Sequence, residues 1–137
     1  MEQEHDADTG ENFRVLVVDD KKTAVETLAM YFEMQGFAVA TANDGDEAIA
    51  STREWKPDLI LMDIGMPRMD GKEAARQIRQ LPGGDQIYMV ALTGWGQEKD
   101  REETAAAGFD LHIVKPVEPS KLREIINDCR ERNKDRD

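Results

Sequence analysis

Four apolar runs in this chain stop at residues that can do chemistry. Phe13-Arg14-Val15-Leu16-Val17-Val18 stops at Asp19-Asp20, Leu59-Ile60-Leu61-Met62 at Asp63, the run from Ile87 to Leu92 at Thr93, and the run from Leu111 to Val114 at Lys115. A polar side chain at the end of a buried parallel strand stands at the carboxyl edge of the sheet, where open α/β sheets bind ligands. Three carboxylates gathered at one edge repel, and some take up protons unless a cation joins them. An oxygen-only, carboxylate-rich cluster suits Mg²⁺, which takes few protein ligands and fills its shell with water and phosphate oxygens. Lys115 brings a second positive charge on a flexible stem, and Thr93 a hydroxyl donor. The set suits phosphoryl transfer to the Asp63 carboxylate, a reaction that needs mainly positioning and charge neutralisation.

The elements that must carry these residues are written in the hydrophobic pattern. After the first strand, Val25, Leu28, Ala29 and Phe32 fall at i, i+3, i+4 and i+7, which predicts a helix from about Thr23, ended by Gly36. A second strand is expected from Phe37 to Thr41. Asn43-Asp44-Gly45 then turns the chain and caps a helix whose inner face is Ala48, Ile49, Thr52 and Trp55. The strand ending at Asp63 is followed by the loop Met66-Pro67-Arg68-Met69-Asp70-Gly71 and by a third helix marked by Ala74, Ala75, Ile78 and Leu81. Pro82-Gly83-Gly84 closes that helix, and the fourth strand runs from Ile87 to Leu92. A fourth helix from about Glu98 to Ala107 has only alanines on its apolar side and should pack thinly, with Gly108 as its stop. The last helix starts at Pro119 and buries Leu122, Ile125, Ile126 and Cys129, so Cys129 is read as a small core residue.

Five strands alternating with five helices predict an α/β protein with a doubly wound parallel sheet. Residues 1–12 are read as a disordered acidic lead that includes His5, 13–131 as one domain, and 132–137 as a solvated tail. The chain of 137 residues carries a formal charge of -11, which argues against a nucleic-acid backbone or an anionic membrane surface as partner. No apolar run reaches the length of a membrane span, and the single cysteine rules out an internal disulfide and a cysteine-built metal site. A cytoplasmic location is expected.

Taken together, Asp19-Asp20, Asp63 with Gly65-Met66-Pro67 and Asp70-Gly71, Thr93-Gly94 and Lys115-Pro116 resemble a response-regulator receiver domain of two-component signalling over about residues 13–131. The resemblance implies a flavodoxin-like strand order of 2-1-3-4-5 and a signalling domain that assists its own phosphorylation and dephosphorylation rather than an enzyme. It implies that Asp63 accepts phosphate from a phosphohistidine on a histidine kinase or histidine phosphotransfer protein. It further implies that Asp20, Asp63 and the Gly65 carbonyl bind Mg²⁺ directly and Asp19 through water. Thr93 and Lys115 would grip the phosphoryl group, the Lys115-Pro116 bond would be cis, and the face of the fifth strand and the last two helices would carry the output. The segments from Ala91 to Gln97 and from Ala107 to Asp110 look similar to receivers of hybrid histidine kinases.

Two departures stand out. Receivers usually carry Tyr or Phe three residues before the lysine, where this chain has His112, either an altered switch residue or a half-exposed strand histidine without that role. Gly65 has no side chain to orient a hydrolytic water, and Trp95 could cover the site, which together imply slow self-dephosphorylation. Two other functions compete. A haloacid-dehalogenase-like phosphatase would want a second Asp where Gly65 stands. A receiver-shaped binding module never phosphorylated would gain nothing from burying carboxylates that repel.

Overall fold

The computed structural model describes residues 13–66, 70–94 and 98–136; the acidic lead with His5, and Trp95, lie outside them. The elements are β1 (Arg14–Val18), α1 (Lys22–Met34), β2 (Ala38–Ala42), α2 (Gly45–Trp55), β3 (Leu59–Asp63), α3 (Gly71–Arg79), a 3-10 turn (Gly84–Gln86), β4 (Tyr88–Thr93), α4 (Glu98–Ala107), β5 (Leu111–Val114) and α5 (Pro119–Arg136). All pairings are parallel, in the order β2-β1-β3-β4-β5, which is the doubly wound arrangement expected from the sequence.

The central strands are apolar throughout because both faces are covered. One face, with Val15, Val17, Leu59, Leu61, Val90, Leu92 and Ile113, packs on Phe32 of α1 and on Leu122, Ile125, Ile126 and Cys129 of α5. The other, with Leu16, Val18, Ile60, Met62, Met89 and Ala91, packs on α2, on Ala74, Ala75 and Ile78 of α3, and on Ala107 of α4. Cys129 is buried in the first of these layers, as its helical spacing predicts.

Local signals set the helix ends. The Asp44 carboxylate caps α2 by accepting from Glu47 N at 2.8 Å, while Glu47 Oε1 accepts from the N–H of Asn43, the residue before the cap, at 2.8 Å. Asp70 caps α3 by accepting from Glu73 N at 2.9 Å. Gly36 and Gly108, at φ of 93° and 113°, supply the left-handed stops read from the sequence.

Several boundaries differ from the sequence reading. β2 and β4 each lie one residue further on than expected, so Thr93 is the last residue of β4 rather than the first after it. The 3-10 turn before β4 was not anticipated, because Pro82-Gly83-Gly84 reads simply as a break. The inner face of α4 is not alanine alone: Thr104 and Ala107 are buried while Ala105 and Ala106 are exposed. The last helix runs on through the charged end of the chain to Arg136. Arg132 holds it down, with Nη1 2.9 Å from Asp110 Oδ2 and its guanidinium 5.3 Å from the centre of the Tyr88 ring.

Gly71 lets the β3–α3 connection close against the strand that carries Asp63. A Cβ there would lie 2.7 Å from Ile64 Cα and 2.8 Å from the Asp63 carbonyl oxygen, both backbone atoms, whereas a Cβ on Gly65 would meet only Asp63 Oδ1, at 3.7 Å. Gly71→Ala is therefore predicted to cost about 1–3 kcal/mol by overpacking and Gly65→Ala close to nothing, as read from the urea unfolding midpoints of the two variants.

Candidate functional site

The residues named from the strand ends meet at the carboxyl edge of β1, β3, β4 and β5. Asp19 follows β1 and is 1% exposed, Asp63 ends β3 at 7%, and Thr93 ends β4 at 4%; Asp20 is exposed. One oxygen from each of Asp19, Asp20 and Asp63 lies within 4.8 Å of the other two. Lys115 follows β5 and reaches back over the edge, with Nζ 3.2 Å from Asp19 Oδ2 and 3.6 Å from Asp63 Oδ2. The Lys115 N–H donates to the Thr93 carbonyl at 2.7 Å, which carries the ladder one residue past β5, and the Lys115-Pro116 peptide is cis.

The backbone also fixes the carboxylates. Asp19 Oδ1 accepts from Lys21 N at 3.0 Å just before α1 begins, and Asp63 Oδ1 accepts from Gly65 N at 3.0 Å. Both oxygens of Asp19 therefore already have protein donors. Asp63 keeps Oδ2 toward the lysine, and the Gly65 N–H holds the plane of its carboxylate.

Three carboxylates face one ammonium here, and the charge is poorly balanced. Burial pushes the Asp63 carboxyl above its ordinary value of 3.8, and Asp19 beside it adds to that push; the Gly65 N–H and the Lys115 ammonium pull the other way without cancelling it. The donors are hard oxygens, partly buried, with one exposed member in Asp20. That set fits a small divalent cation such as Mg²⁺.

His112 lies on β5 opposite Ala91, and its ring is tied to α4: Nδ1 is 3.0 Å from Thr104 Oγ1. It is part-buried on the strand and hydrogen-bonded to α4. The sequence reading missed Thr104, whose only signal was a polar residue in an otherwise alanine-lined helix face. It also missed Arg79, whose guanidinium donates to the carbonyls of Gly84 and Ile87, each at 2.7 Å, and to that of Gly108, which ties the end of α3 to the start of β4 and the end of α4. These are framework contacts away from the carboxylates.

A raised Asp63 pKa has a definite sign for stability. Between the ordinary carboxylate value and the higher folded one, the native state holds a proton that the unfolded chain has released, so stability falls as pH rises through that window. Asp63→Asn removes the buried charge while Lys115 keeps Asp19. The variant is predicted to unfold at a higher temperature than the parent near pH 7, and the difference should close as pH is lowered past the ordinary carboxylate range, as followed by calorimetry in metal-free buffer.

The comparisons agree with this geometry. The family model for the response regulator receiver domain matches residues 15–127. The transcriptional regulatory protein ResD of Bacillus subtilis strain 168 is 42% identical over 113 residues, which are 82% of this chain and 45% of ResD, so the chain spans about half the length of that relative. A CheY-like response regulator receiver domain protein from Methanospirillum hungatei JF-1 matches in structure with a TM-score of 0.82 at 29% identity, over 90% of this chain and 98% of that one. The receiver domain of a sensor histidine kinase from Pseudomonas aeruginosa PAO1, solved with a magnesium ion coordinated in its active site cleft, matches with a TM-score of 0.78 at 29% identity, over 85% and 95%. The likeness shown is thus to response regulator receivers at large. On its sheet order, its strand-end carboxylates and lysine, and its match to the family model over most of its length, this chain belongs to the response regulator receiver domain family.

Proposed function

We propose that Asp63 is the phosphoacceptor of this signalling domain and that it takes a phosphoryl group from a phosphohistidine on a histidine kinase or histidine phosphotransfer protein. The observation that carries the reading is the Lys115 ammonium poised 3.6 Å from Asp63 Oδ2 and 3.2 Å from Asp19 Oδ2, at the edge where Asp20 completes the acidic cluster. In the reaction an Asp63 oxygen forms the new P–O bond as the P–N bond to the imidazole breaks, and the imidazole nitrogen takes up a proton. Lys115 can move from carboxylate to phosphoryl oxygen without leaving the edge, and the Thr93 hydroxyl can donate to a second oxygen. Asp20, Asp63 and the Gly65 carbonyl would hold Mg²⁺ directly, and Asp19, both of whose oxygens have protein donors, through water. When bound, the ion neutralises charge on the phosphoryl oxygens.

Two surfaces suit the exchange of signals. A groove of about 630 Å³ lined by Thr23, Thr27, Leu28, Pro116 and Val117 opens beside Asp19 and Lys115, and this largely apolar cleft between α1 and the β5–α5 connection suits a helix that carries the donor histidine. On the other side of β5, Arg101, Val114, Glu118, Lys121 and Glu124 line a second groove between α4 and α5, of about 540 Å³, which we assign to the output. We assign no nucleic-acid contact to this domain itself, on its charge of -11, and no helix of the described residues is long and apolar enough to cross a membrane. A cytoplasmic setting is consistent with a lone buried cysteine left as a thiol. The phosphatase alternative lacks its second Asp at Gly65, and a module never phosphorylated leaves the repelling carboxylates without a use.

Incubation with Mg²⁺ and acetyl phosphate tests the assignment by mass spectrometry. The parent should gain the mass of one phosphoryl group and Asp63→Asn none, while Lys115→Met should lose at least about 10²-fold in labelling rate, the scale of removing one preorganised charge. Labelling that persists in Asp63→Asn at the parental rate excludes Asp63. Once the donor is removed, the same preparation reports the decay of the phosphoryl group. We expect slow decay that Trp95→Ala accelerates, and an unchanged half-life in that variant would take Trp95 out of the explanation.

A further inference from the structure

The contact between α4 and β5 contains one hydrogen bond whose direction can be worked out. Thr104 sits on the buried side of α4 at 1% exposure, and its Oγ1–H donates back to the Arg101 carbonyl at 3.0 Å. A threonine hydroxyl has one hydrogen, so once that is committed the oxygen can only accept. His112 Nδ1, 3.0 Å away, must then be the donor. Of the two neutral tautomers, this bond selects the one with its proton on Nδ1, in which Nε2 is a bare acceptor. Nε2 is buried and has no hydrogen-bond partner among the described residues. The opposite tautomer would bury an Nε2–H with nothing to accept it, and orphaned buried N–H groups are the rarer outcome.

Little else holds this helix to the sheet. From Arg101 to Ala107, α4 buries only Thr104 and Ala107, and its ties to α3 include the ion pair of Lys72 Nζ with Glu103 Oε1 at 2.6 Å and the Arg79 guanidinium on the Gly108 carbonyl just past its end. We propose that the Thr104–His112 hydrogen bond is a latch that holds α4 on β5, with His112 fixed as its Nδ1–H tautomer. The closed state satisfies Nδ1 but strands Nε2 away from water, whereas lifting α4 exposes both nitrogens to solvent. That exchange lowers the cost of lifting α4 relative to a fully satisfied contact. Asp63 and its ligands take no part in holding the latch, so it stands or falls apart from the phosphoacceptor reading.

Two measurements test this on the intact chain. Two-dimensional ¹H–¹⁵N correlation of the histidine side chains at neutral pH should show His112 with Nδ1 protonated and Nε2 bare; an Nε2–H tautomer overturns the proposal without any variant. Hydrogen exchange should then show the α4 amides of Thr104→Val, which keeps the shape and loses the acceptor, opening roughly 3- to 10-fold faster than the parent, the span of one ordinary hydrogen bond. Thr104→Ser should restore the parental rate, and β1 and β3 amides should be unaffected in both. Unchanged α4 exchange in Thr104→Val, or loss of protection in all elements alike, contradicts a latch local to α4.

Discussion

Like charge held at close range is the constraint on which this molecule turns. Asp19, Asp20 and Asp63 bring their oxygens within 4.8 Å of one another at the end of a sheet whose interior is wholly apolar, and Lys115 is the one cation in ion-pair contact with them among the described residues. Such an arrangement is costly in a folded protein, because burial raises the free energy of each ionised carboxylate and proximity raises it again. Stability alone would favour an amide or an alkyl group at Asp63. The arrangement makes sense when the excess negative charge is there to meet something positive, a metal ion first and then the phosphorus of an incoming phosphoryl group.

The rest of the fold serves to hold that edge still. β1, β3 and β4 are fixed by close-packed layers on both faces, so Asp19, Asp63 and Thr93 stand on rigid supports. The backbone near the edge adds its own restraints: Lys21 N and Gly65 N orient the two buried carboxylates, and Gly71 brings the chain after Asp63 back against Ile64. Lys115 comes from the end of β5, the edge strand that also carries His112 against α4. The acidic part of the site is thus built on the firm centre of the sheet, and its cation on the edge strand. That division suits a domain that must bind a charge in a fixed place and report it elsewhere.

Much of this could be read from the sequence, for a physical reason. Strands buried on both faces are written as unbroken apolar runs, so their ends are visible, and the residues at those ends are the site. Asp63, Thr93 and Lys115 were legible because the first polar residue after such a run has nowhere to go but the edge. The helical stripes from Val25 to Phe32 and from Leu122 to Cys129 were legible for the same reason, each with a 3.6-residue period. What escaped depends on contacts between elements. No local pattern says that Thr104 will meet His112, that a Cβ on Gly71 would strike the carbonyl of Asp63, or that Arg79 will find the carbonyl of Gly108. The end of α5 escaped likewise: residues after Arg130 show only mixed charge, and their helix holds because Arg132 finds Asp110 and the Tyr88 ring across the fold.

The most direct test of the central claim is a magnesium titration of the metal-free protein followed by amide NMR, with sodium chloride at matched ionic strength as control. Saturable shifts confined to Asp19, Asp20, Asp63, Gly65 and their neighbours, and abolished in Asp20→Asn, are the predicted result. Resonances at this edge that respond no differently to magnesium than to sodium would contradict the account, because the crowded carboxylates would then have no counter-charge to explain them.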